Sequence, residues 1–265
     1  MMDNIKNIEK NKIIGDIILE NSTIEFIGEN NILYVEGNIK FVNSKLRFTG
    51  SNSIMYFDKN KMDIYINART RNDSVLYLGK DTFINKGIDV YATERKNIII
   101  GNGCMLSYET AFRTTDPHLI FDCNTKNRIN HAKSILIGDH VWIGQQCLIL
   151  KNTQIFSGSI IGGHSVLSNK KVYSNSLWAG NPAKKIKEDV FFSCKSAHDF
   201  SKEEENMYSS LDSEEYIFED TGENNLEKID LLLQEKESNT LEKLEIITKL
   251  LCNNDEKNRF ALKDR

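Results

Sequence analysis

Branched aliphatic residues recur at every sixth position through the middle of the chain. The series comprises Ile137, Ile143, Ile149, Ile155, Ile161 and Leu167. A small or slender residue stands four positions after each of the first five, at Val141, Cys147, Thr153, Ser159 and Ser165. This period is typical of a parallel β-solenoid, in which three short strands make a coil of about 18 residues and each strand turns one aliphatic residue inward. The same phase starts at Ile100 and Leu106, so residues 112–134 are predicted to form a loop that leaves the solenoid.

A longer repeat precedes these hexapeptides. Residues 22–35 align with residues 44–57 at a spacing of 22. Alternating apolar positions such as Ile24 and Phe26 indicate β-strands, and Gly28 marks a turn. We therefore expect residues 15–101 to form irregular coils of the same solenoid, ahead of regular hexapeptide coils over residues 137–172.

Helical spacing replaces strand spacing near the end of the chain. Apolar residues recur there at intervals of three and four, at Leu226, Ile229, Leu233, Leu241, Leu244, Ile247 and Leu251. This pattern predicts two amphipathic helices that pair with each other or cover an end of the solenoid, and docking of a partner is the alternative. The predicted organisation is an all-β solenoid domain over residues 1–198 and an acidic helical extension over residues 199–265.

Charge divides the chain in the same way. Residues 199–265 carry 19 acidic and 9 basic side chains, a net charge of −10, and the remaining 19 acidic and 25 basic side chains give residues 1–198 a net charge of +6. The positive charge is dispersed and no basic-aromatic module is present, which argues against a nucleic-acid partner. No apolar run approaches the roughly 18 residues that a membrane span needs. The polar start of the chain leads us to expect a cytoplasmic protein.

The metal-ligand residue types are scattered. Five cysteines form no Cys-x-x-Cys pair, so we expect reduced thiols rather than a disulfide framework or a zinc ribbon. His140 and His164 are 24 residues apart, one coil plus one face, so they are not predicted to stack. No metal site is therefore expected.

Four motifs carry a family resemblance across residues 100–187. They are Thr-Thr-Asp-Pro-His at 114–118, Arg-Ile-Asn-His at 128–131, Ile-Gly-Asp-His-Val-Trp-Ile-Gly at 137–144 and Ala-Gly-Asn-Pro-Ala-Lys-Lys at 179–185. In this order they resemble the hexapeptide-repeat acyltransferases, which fold as left-handed parallel β-helices, and within them the sugar O-acetyltransferases. The loop motifs look most like those of bacterial enzymes that acetylate capsular sialic acid polymers.

The resemblance implies a catalytic set and an assembly. His118 stands at the family's catalytic position, where an imidazole can take the proton of an attacking hydroxyl. Asp116 either orients that imidazole or caps the turn at Pro117. Trp142 follows a small corner residue, so its indole should point outward, and by resemblance it borders the acetyl group and the acceptor. Family members place such sites between the subunits of a homotrimer.

The resemblance also implies that acetyl-CoA is the co-substrate. A groove for its extended arm needs close approach to backbone, and Gly144, Gly162 and Gly163 are candidates, continued by Ala179 and Gly180. Lys184 and Lys185 supply ammonium groups for the phosphates. The alternatives are turn geometry for the glycines and a solvated final coil for the lysines.

Several residues are candidates for binding the acceptor. Arg113 and Arg128 flank His118 and can pair with carboxylates of an anionic glycan, or they can hold the loop in shape. His131 and Tyr108 are further candidates.

The predicted function is transfer of acetyl from acetyl-CoA to a hydroxyl of a bacterial surface polysaccharide, with a sialic acid polymer as the narrower candidate. The alternatives are an N-acyltransferase for a nucleotide-linked amino sugar and a non-catalytic scaffold.

Overall fold

The computed structural model describes residues 4–222 and 224–264, so the predicted outer boundaries at residues 1 and 265 lie outside the described residues. Short strands dominate the described chain. They are β1 (Ile5–Lys6), β2 (Lys12–Glu20), β3 (Thr23–Phe26), β4 (Ile32–Val42), β5 (Lys45–Phe48), β6 (Ile54–Phe57), β7 (Ile66–Thr70), β8 (Val75–Leu78), β9 (Phe83–Ile84), β10 (Ile88–Ala92), β11 (Ile98–Ile100), β12 (Met105–Leu106), β13 (Ala111–Arg113), β14 (Ile135–Ile137), β15 (Trp142–Ile143), β16 (Leu148–Leu150), β17 (Thr153–Ile155), β18 (Ile160–Ile161), β19 (Val166–Leu167), β20 (Lys171–Val172), β21 (Leu177–Gly180) and β22 (Ala183–Lys187).

The strands form three sheets that run along the solenoid. Sheet A has the order β1-β3-β5-β7-β10-β13-β16-β19, and sheet B has the order β2-β4-β6-β8-β11-β14-β17-β20. Sheet C contains β9, β12, β15, β18 and β21, with β22 added antiparallel to β21. From β7 onward the chain passes from A to B to C in each coil, and the other strand pairs described are parallel. We name the corners of this three-sided prism the A–B, B–C and C–A edges. The predicted all-β solenoid is confirmed.

Strand register confirms both repeats. Ile143 pairs with Ile161, 18 residues later, and the six aliphatic residues of the hexapeptide series are all fully buried. In the first coils Ile24 pairs with Leu46, a spacing of 22, and the rings of Phe26 and Phe48 stack with centroids 4.7 Å apart. The prism interior is therefore one continuous column of apolar side chains, each stacked on its counterpart in the next coil.

The sharp corners explain several polar residues between strands. His140 and His164 both adopt left-handed backbone conformations, with φ of 51° and 58°. Asn152 and Asn169 do the same at the A–B edge, with φ of 59° and 53°. Asn and His tolerate this conformation better than most other non-glycine residues. The predicted loop leaves at the A–B edge, where residues 114–134 connect β13 to β14.

Three helices follow the strands, and the last two of them pack along a side of the prism. They are α1 (Lys202–Met207), α2 (Leu226–Glu235) and α3 (Thr240–Ile247), which continues as a π-helical turn, Thr248–Cys252. Leu226, Ile229, Leu233, Ile247 and Leu251 are buried against an apolar stripe on the outer side of sheet B, which includes Ile54, Tyr77, Ile99, Leu136 and Phe156. The helices therefore cover a lateral face rather than an end. Among the described residues, no helix has the length and apolarity to cross a membrane.

One predicted apolar position of the second helix is wrong. Leu241 is exposed, whereas Lys243 is fully buried. The Lys243 ammonium donates to the backbone carbonyl oxygen of Asp73 at 2.8 Å and lies 3.3 Å from that residue's carboxylate. The aliphatic stem of a lysine can occupy an apolar position when its charged end reaches a partner, and periodicity alone does not predict such a partner.

Candidate active site

The loop that carries His118 is braced by the coils on either side of it. The Lys151 ammonium, at the A–B edge of the next coil, donates to Asp116 Oδ2 at 2.5 Å. Arg128 Nη2 donates to both carboxylate oxygens of Glu94, at the same edge of the preceding coil, at 2.8 and 3.0 Å. The hydrogen bond from Lys151 lowers the pKa of Asp116, and the one from Arg128 lowers the pKa of Glu94. The loop is thus held at two points by charge-assisted hydrogen bonds.

Asn130 connects these braces to the backbone beside His118. Its Nδ2 donates to Asp116 Oδ2 at 3.0 Å and to the His118 carbonyl oxygen at 2.7 Å. Its Oδ1 accepts from the backbone N–H of Ile120 at 2.9 Å. Asn130 is itself buried. The backbone of His118 is therefore anchored within the loop, independently of its side chain.

The His118 imidazole is exposed and makes no hydrogen bond with the described part of this chain. Of the two roles left open for Asp116, the contacts favour support of the loop, because its carboxylate binds Lys151 and Asn130. No contact between the Asp116 carboxylate and the His118 ring is present among the described residues. An imidazole with a fixed backbone and a free ring can meet a substrate from outside the chain.

Trp142 lies on sheet C, away from the A–B edge that carries the His118 loop. It sits in β15 in register with Met105 and Ile160, and 39% of it is exposed, as the outward orientation predicts. Its ring approaches that of Phe192, with centroids 5.8 Å apart. Tyr108 lies at the C–A edge, where its hydroxyl donates to Gln145 Oε1 at 2.6 Å. Tyr108 therefore belongs with Trp142 rather than with His118.

The predicted donor glycines form a column at the C–A edge, and two of them have a structural cause. A Cβ on Gly144 would stand 2.5 Å from the backbone nitrogen of Gly163, and one on Gly162 would stand 2.9 Å from the Cβ of Ala179. Close stacking of coils therefore requires glycine at both positions. Gly163 and Gly180 are exposed, and Gly180 has a φ of 103°. These two leave backbone open along the column, which fits an extended ligand with amide groups.

The two candidate phosphate-binding lysines differ. Both lie on β22, where Lys184 is opposite Ala179 and Lys185 is opposite Trp178. The Lys185 ammonium bonds to the carboxylates of Glu188 and Asp264, and the bond to Glu188 raises its pKa. Lys184 is exposed, and its ammonium has no hydrogen-bond or ion-pair partner in the described structure. Lys184 is thus the more available cation.

The predicted acceptor residues are also distributed over the prism. Arg113 lies on β13, with its guanidinium 5.5 Å from the centre of the Tyr91 ring. Arg128 is held by Glu94, which agrees with the loop-shaping alternative. His131 is exposed in the loop. The structure thus brings His118, Arg113, Arg128 and His131 to the A–B edge, and sheet A separates them from the glycine column at the C–A edge.

Residues near the site were missed at the level of sequence. Lys151 and Glu94 brace the loop, and the only available signal was their position at the corner that holds the loop. The second group comes from the chain that follows β22. Phe192 and Tyr216 stack on the His140 ring with centroids 4.1 and 4.3 Å away. Nothing in the local pattern of residues 192–216 predicts this contact. No cluster of metal-ligating residue types occurs among the residues described.

Comparison with known proteins identifies the family. The chain is 33% identical over 186 residues to a polysialic acid O-acetyltransferase of Neisseria meningitidis, a match that covers 70% of this chain and 86% of that protein. It is 35% identical over 135 residues to a polysialic acid O-acetyltransferase of Escherichia coli O1:K1, covering 49% of this chain and 43% of that protein. The chain belongs to the polysialic acid O-acetyltransferase family. No family model matches the chain.

Solved structures of this family share the fold. The polySia-specific acetyltransferase NeuO superposes with a TM-score of 0.65 and 28% identity, covering 77% of this chain and 94% of NeuO. The polysialic acid O-acetyltransferase OatWY gives a TM-score of 0.62 and 27% identity, covering 77% of this chain and 97% of OatWY. Family membership and these superpositions confirm the predicted left-handed parallel β-helix and the predicted enzyme class, an O-acetyltransferase.

Proposed function

We propose that this protein transfers the acetyl group of acetyl-CoA to a hydroxyl of a capsular sialic acid polymer. The acceptor class rests on the two polysialic acid O-acetyltransferases that it resembles in sequence. The observation that carries the chemistry is the exposed imidazole of His118 on a loop with an anchored backbone. The N-acyltransferase and scaffold alternatives lack a comparable supporting observation.

In this proposal His118 acts as the general base. An imidazole nitrogen accepts the proton of the sugar hydroxyl as its oxygen attacks the thioester carbonyl carbon, so the new C–O bond forms and the C–S bond breaks. The imidazolium then returns the proton to the departing CoA sulfur. Trp142 borders the acetyl group, and backbone N–H groups of sheet C stabilise the oxyanion. Asp116 serves by holding the loop.

A covalent acyl-cysteine is not part of this mechanism. Cys104 and Cys147 are buried in the prism. Burial raises the pKa of Cys104 to about 12 and also raises the pKa of Cys147. A thiol with a raised pKa is a poor nucleophile at neutral pH because its thiolate fraction is small. Direct transfer of the acetyl group from acetyl-CoA to the sugar hydroxyl fits these two buried thiols better than transfer through an acyl-cysteine.

We further propose that the complete site forms between copies of the chain, in a homotrimer. Within one chain His118 is at the A–B edge, and the column that ends at Lys184 follows sheet C and the C–A edge. If the A–B edge of one copy lies against the C–A edge of another, His118 of the first copy comes close to acetyl-CoA bound to the second. Exposed Gly163, Gly180 and Lys184 would bind the donor. Since acetyl-CoA is a cytoplasmic metabolite, we place the reaction in the cytoplasm.

The test is CoA thiol release by the purified protein with a panel of acceptors: polysialic acid, another acidic capsular polymer, a neutral polysaccharide and a nucleotide-linked amino sugar. We expect release with polysialic acid, and the product should lose the added acetyl in mild alkali, as an ester does. Release only with the amino sugar would establish the N-acyltransferase alternative. No release with any acceptor and no CoA binding would favour the scaffold.

A further inference from the structure

A row of basic and aromatic side chains runs along the outer side of sheet A. Arg47 on β5 pairs in register with Arg69 on β7, Arg69 pairs with Tyr91 on β10, and Tyr91 pairs with Arg113 on β13. The flanking residues on these strands, such as Leu46 and Phe48 around Arg47, are buried in the prism. Side chains alternate across a strand, so the row faces outward. We call Arg47, Arg69, Tyr91 and Arg113 the arginine ladder.

The arginines of this ladder lack acidic partners. None of them forms an ion pair within the described structure, although arginine is suited to pairing with carboxylates. The nearby carboxylate of Asp89 accepts instead from the Asn67 amide at 2.7 Å. The Nε atoms of Arg47, Arg69 and Arg113 are shielded from solvent and have no hydrogen-bond partner. Three donors are therefore left unsatisfied on one face, which carries an energetic cost.

Tyr91 holds the guanidiniums of Arg69 and Arg113 in place. The Arg69 guanidinium lies 5.1 Å from the centre of the Tyr91 ring, and the Arg113 guanidinium lies 5.5 Å from it on the neighbouring strand. These are cation–π distances, so the ring orders two positive charges without neutralising them. Asn67 Nδ2 donates to the Tyr91 hydroxyl at 3.0 Å and fixes the ring in turn. The ladder is thus preorganised before any ligand arrives.

The geometry of the ladder suits a polymer. Neighbouring strands are about 4.8 Å apart, so Arg47 and Arg113 are about 14 Å apart along the solenoid axis. The row of positive charge is bounded by Glu25, one strand before Arg47, and by Leu150, one strand after Arg113. Arg113, the last member of the ladder, is close to the proposed base, because β13 ends at Arg113 and leads directly into the loop that carries His118.

We propose that the arginine ladder binds the carboxylates of an extended polyanionic glycan and leads the polymer to His118. A sialic acid polymer carries one carboxylate per sugar, so several guanidiniums spaced along an axis can each engage one, while Tyr91 packs against a sugar ring. This inference rests on the proposed function for the identity of the polymer. It goes beyond that function by assigning a polymer-binding surface that is separate from the reacting groups.

The test compares the full-length protein with a double variant, Arg47→Gln with Arg69→Gln. We expect the KM for polysialic acid to rise at least about tenfold, because two charge-assisted hydrogen bonds are lost. The KM for acetyl-CoA should not change. The charge-retaining variant Arg47→Lys with Arg69→Lys should recover part of the affinity and most of its salt dependence.

A matched control removes two positive charges from another face of the molecule. Lys228→Gln with Lys249→Gln changes exposed residues of the helices that cover sheet B, and should leave the polymer KM unchanged. Equal KM values for the control and the ladder variant would overturn the proposal. Dissociation of the oligomer in the ladder variant, seen by light scattering, would also overturn it, since the ladder would then be a contact between copies.

A binding measurement separates this inference from the proposed function. Polysialic acid is titrated into the protein without acetyl-CoA, in low and in high salt. Tight, salt-sensitive binding that the ladder variant loses supports the inference even if no acetyl transfer to the polymer is found. Conversely, transfer to the polymer with full affinity in the ladder variant would overturn the inference and leave the proposed function standing.

Discussion

Arg259 and Asp139 form a buried bidentate ion pair that links the last residues of the described chain to the coil bearing Trp142. Arg259 Nε donates to Asp139 Oδ2 and its Nη2 donates to Oδ1, each at 2.8 Å. Asp139 also accepts from the backbone N–H of Asn102 at 2.7 Å. Burial by itself would lower the pKa of Arg259, but the hydrogen bond with Asp139 and the negative charges near the guanidinium, that of Asp139 first among them, together raise it. The extension is thus part of the prism's packing.

Removal of the arginine from this pair should destabilise the fold. Arg259→Met leaves the Asp139 carboxylate buried without its partner, which typically costs about 3 to 5 kcal/mol. Urea denaturation measures the change in the free energy of unfolding. The control is Lys80→Met, which breaks the exposed pair with Asp255 and should cost less than about 1 kcal/mol. Equal losses in the two variants would contradict a structural role for the buried pair.

Attachment of the helices to sheet B should depend on their buried side. Leu233 is fully buried and Leu231, two residues earlier on the same helix, is 60% exposed. We expect Leu233→Ala to lower the free energy of unfolding by about 2 to 5 kcal/mol and Leu231→Ala to change it by less than about 0.5 kcal/mol. Guanidinium denaturation of both variants checks the difference. Similar values would mean that the helix does not pack against sheet B as described.

Loss of the imidazole should affect turnover far more than donor binding. His118→Ala removes the proposed base, and we expect kcat to fall by a factor of about 100 to 10,000 while the dissociation constant for CoA stays the same. His198→Ala, at an exposed histidine outside the loop, is the control and should retain most of the turnover. Thiol release measures kcat and calorimetry measures CoA binding. Full activity of His118→Ala would eliminate His118 as the base.

The ion pair between Lys151 and Asp116 should affect turnover, because it holds the loop that carries His118. Lys151→Met removes the donor that lowers the pKa of Asp116 and frees one side of the loop. Since small displacements of a reacting group are costly, we expect kcat to fall about 10- to 100-fold with CoA affinity preserved. Lys126→Met is the control, because this exposed lysine of the same loop bonds only a backbone carbonyl, that of Cys123. A wild-type kcat for Lys151→Met would show that the brace does not position His118.

The stacking of His140 should make stability sensitive to mildly acidic pH. Burial lowers the pKa of His140 below its ordinary value of about 6.5, and the hydrogen bond with the Phe192 carbonyl oxygen and the nearby Glu215 and Asp139 carboxylates oppose this only in part. The unfolded chain therefore binds a proton at a pH where the folded chain does not. Stability is complete above about pH 6.5 and should decline as the pH falls through that value towards the lower folded pKa.

Substitution of this histidine provides the check. His140→Asn keeps a side chain that tolerates the left-handed backbone. We expect this variant to be less stable at pH 7.5, because the stacking with Phe192 and Tyr216 is lost. It should also show a smaller decline in melting temperature between pH 7 and pH 5.5. An unchanged decline would assign the pH dependence to other groups.

The amino-acid sequence by itself determined the architecture. The period of six that places Ile143 in the core of its coil and the period of 22 that stacks Phe26 on Phe48 are both local patterns. Each strand needs only its neighbouring repeats in order to bury its aliphatic residue, so periodicity predicts the coils, the loop and the residues that face inward. The motifs around His118 and Trp142 likewise supplied the family.

Only the tertiary structure decided which residues meet. Lys151 reaches Asp116 across 35 residues, Arg259 reaches Asp139 across 120, and the arginine ladder exists because strands 22 residues apart are in register. The burial of Lys243 and the exposure of Leu241 depend on where α3 lies on sheet B. The physical reason is that hydrogen bonds and ion pairs act over a few ångströms in space. Sequence spacing predicts them only where the repeat itself brings the partners together.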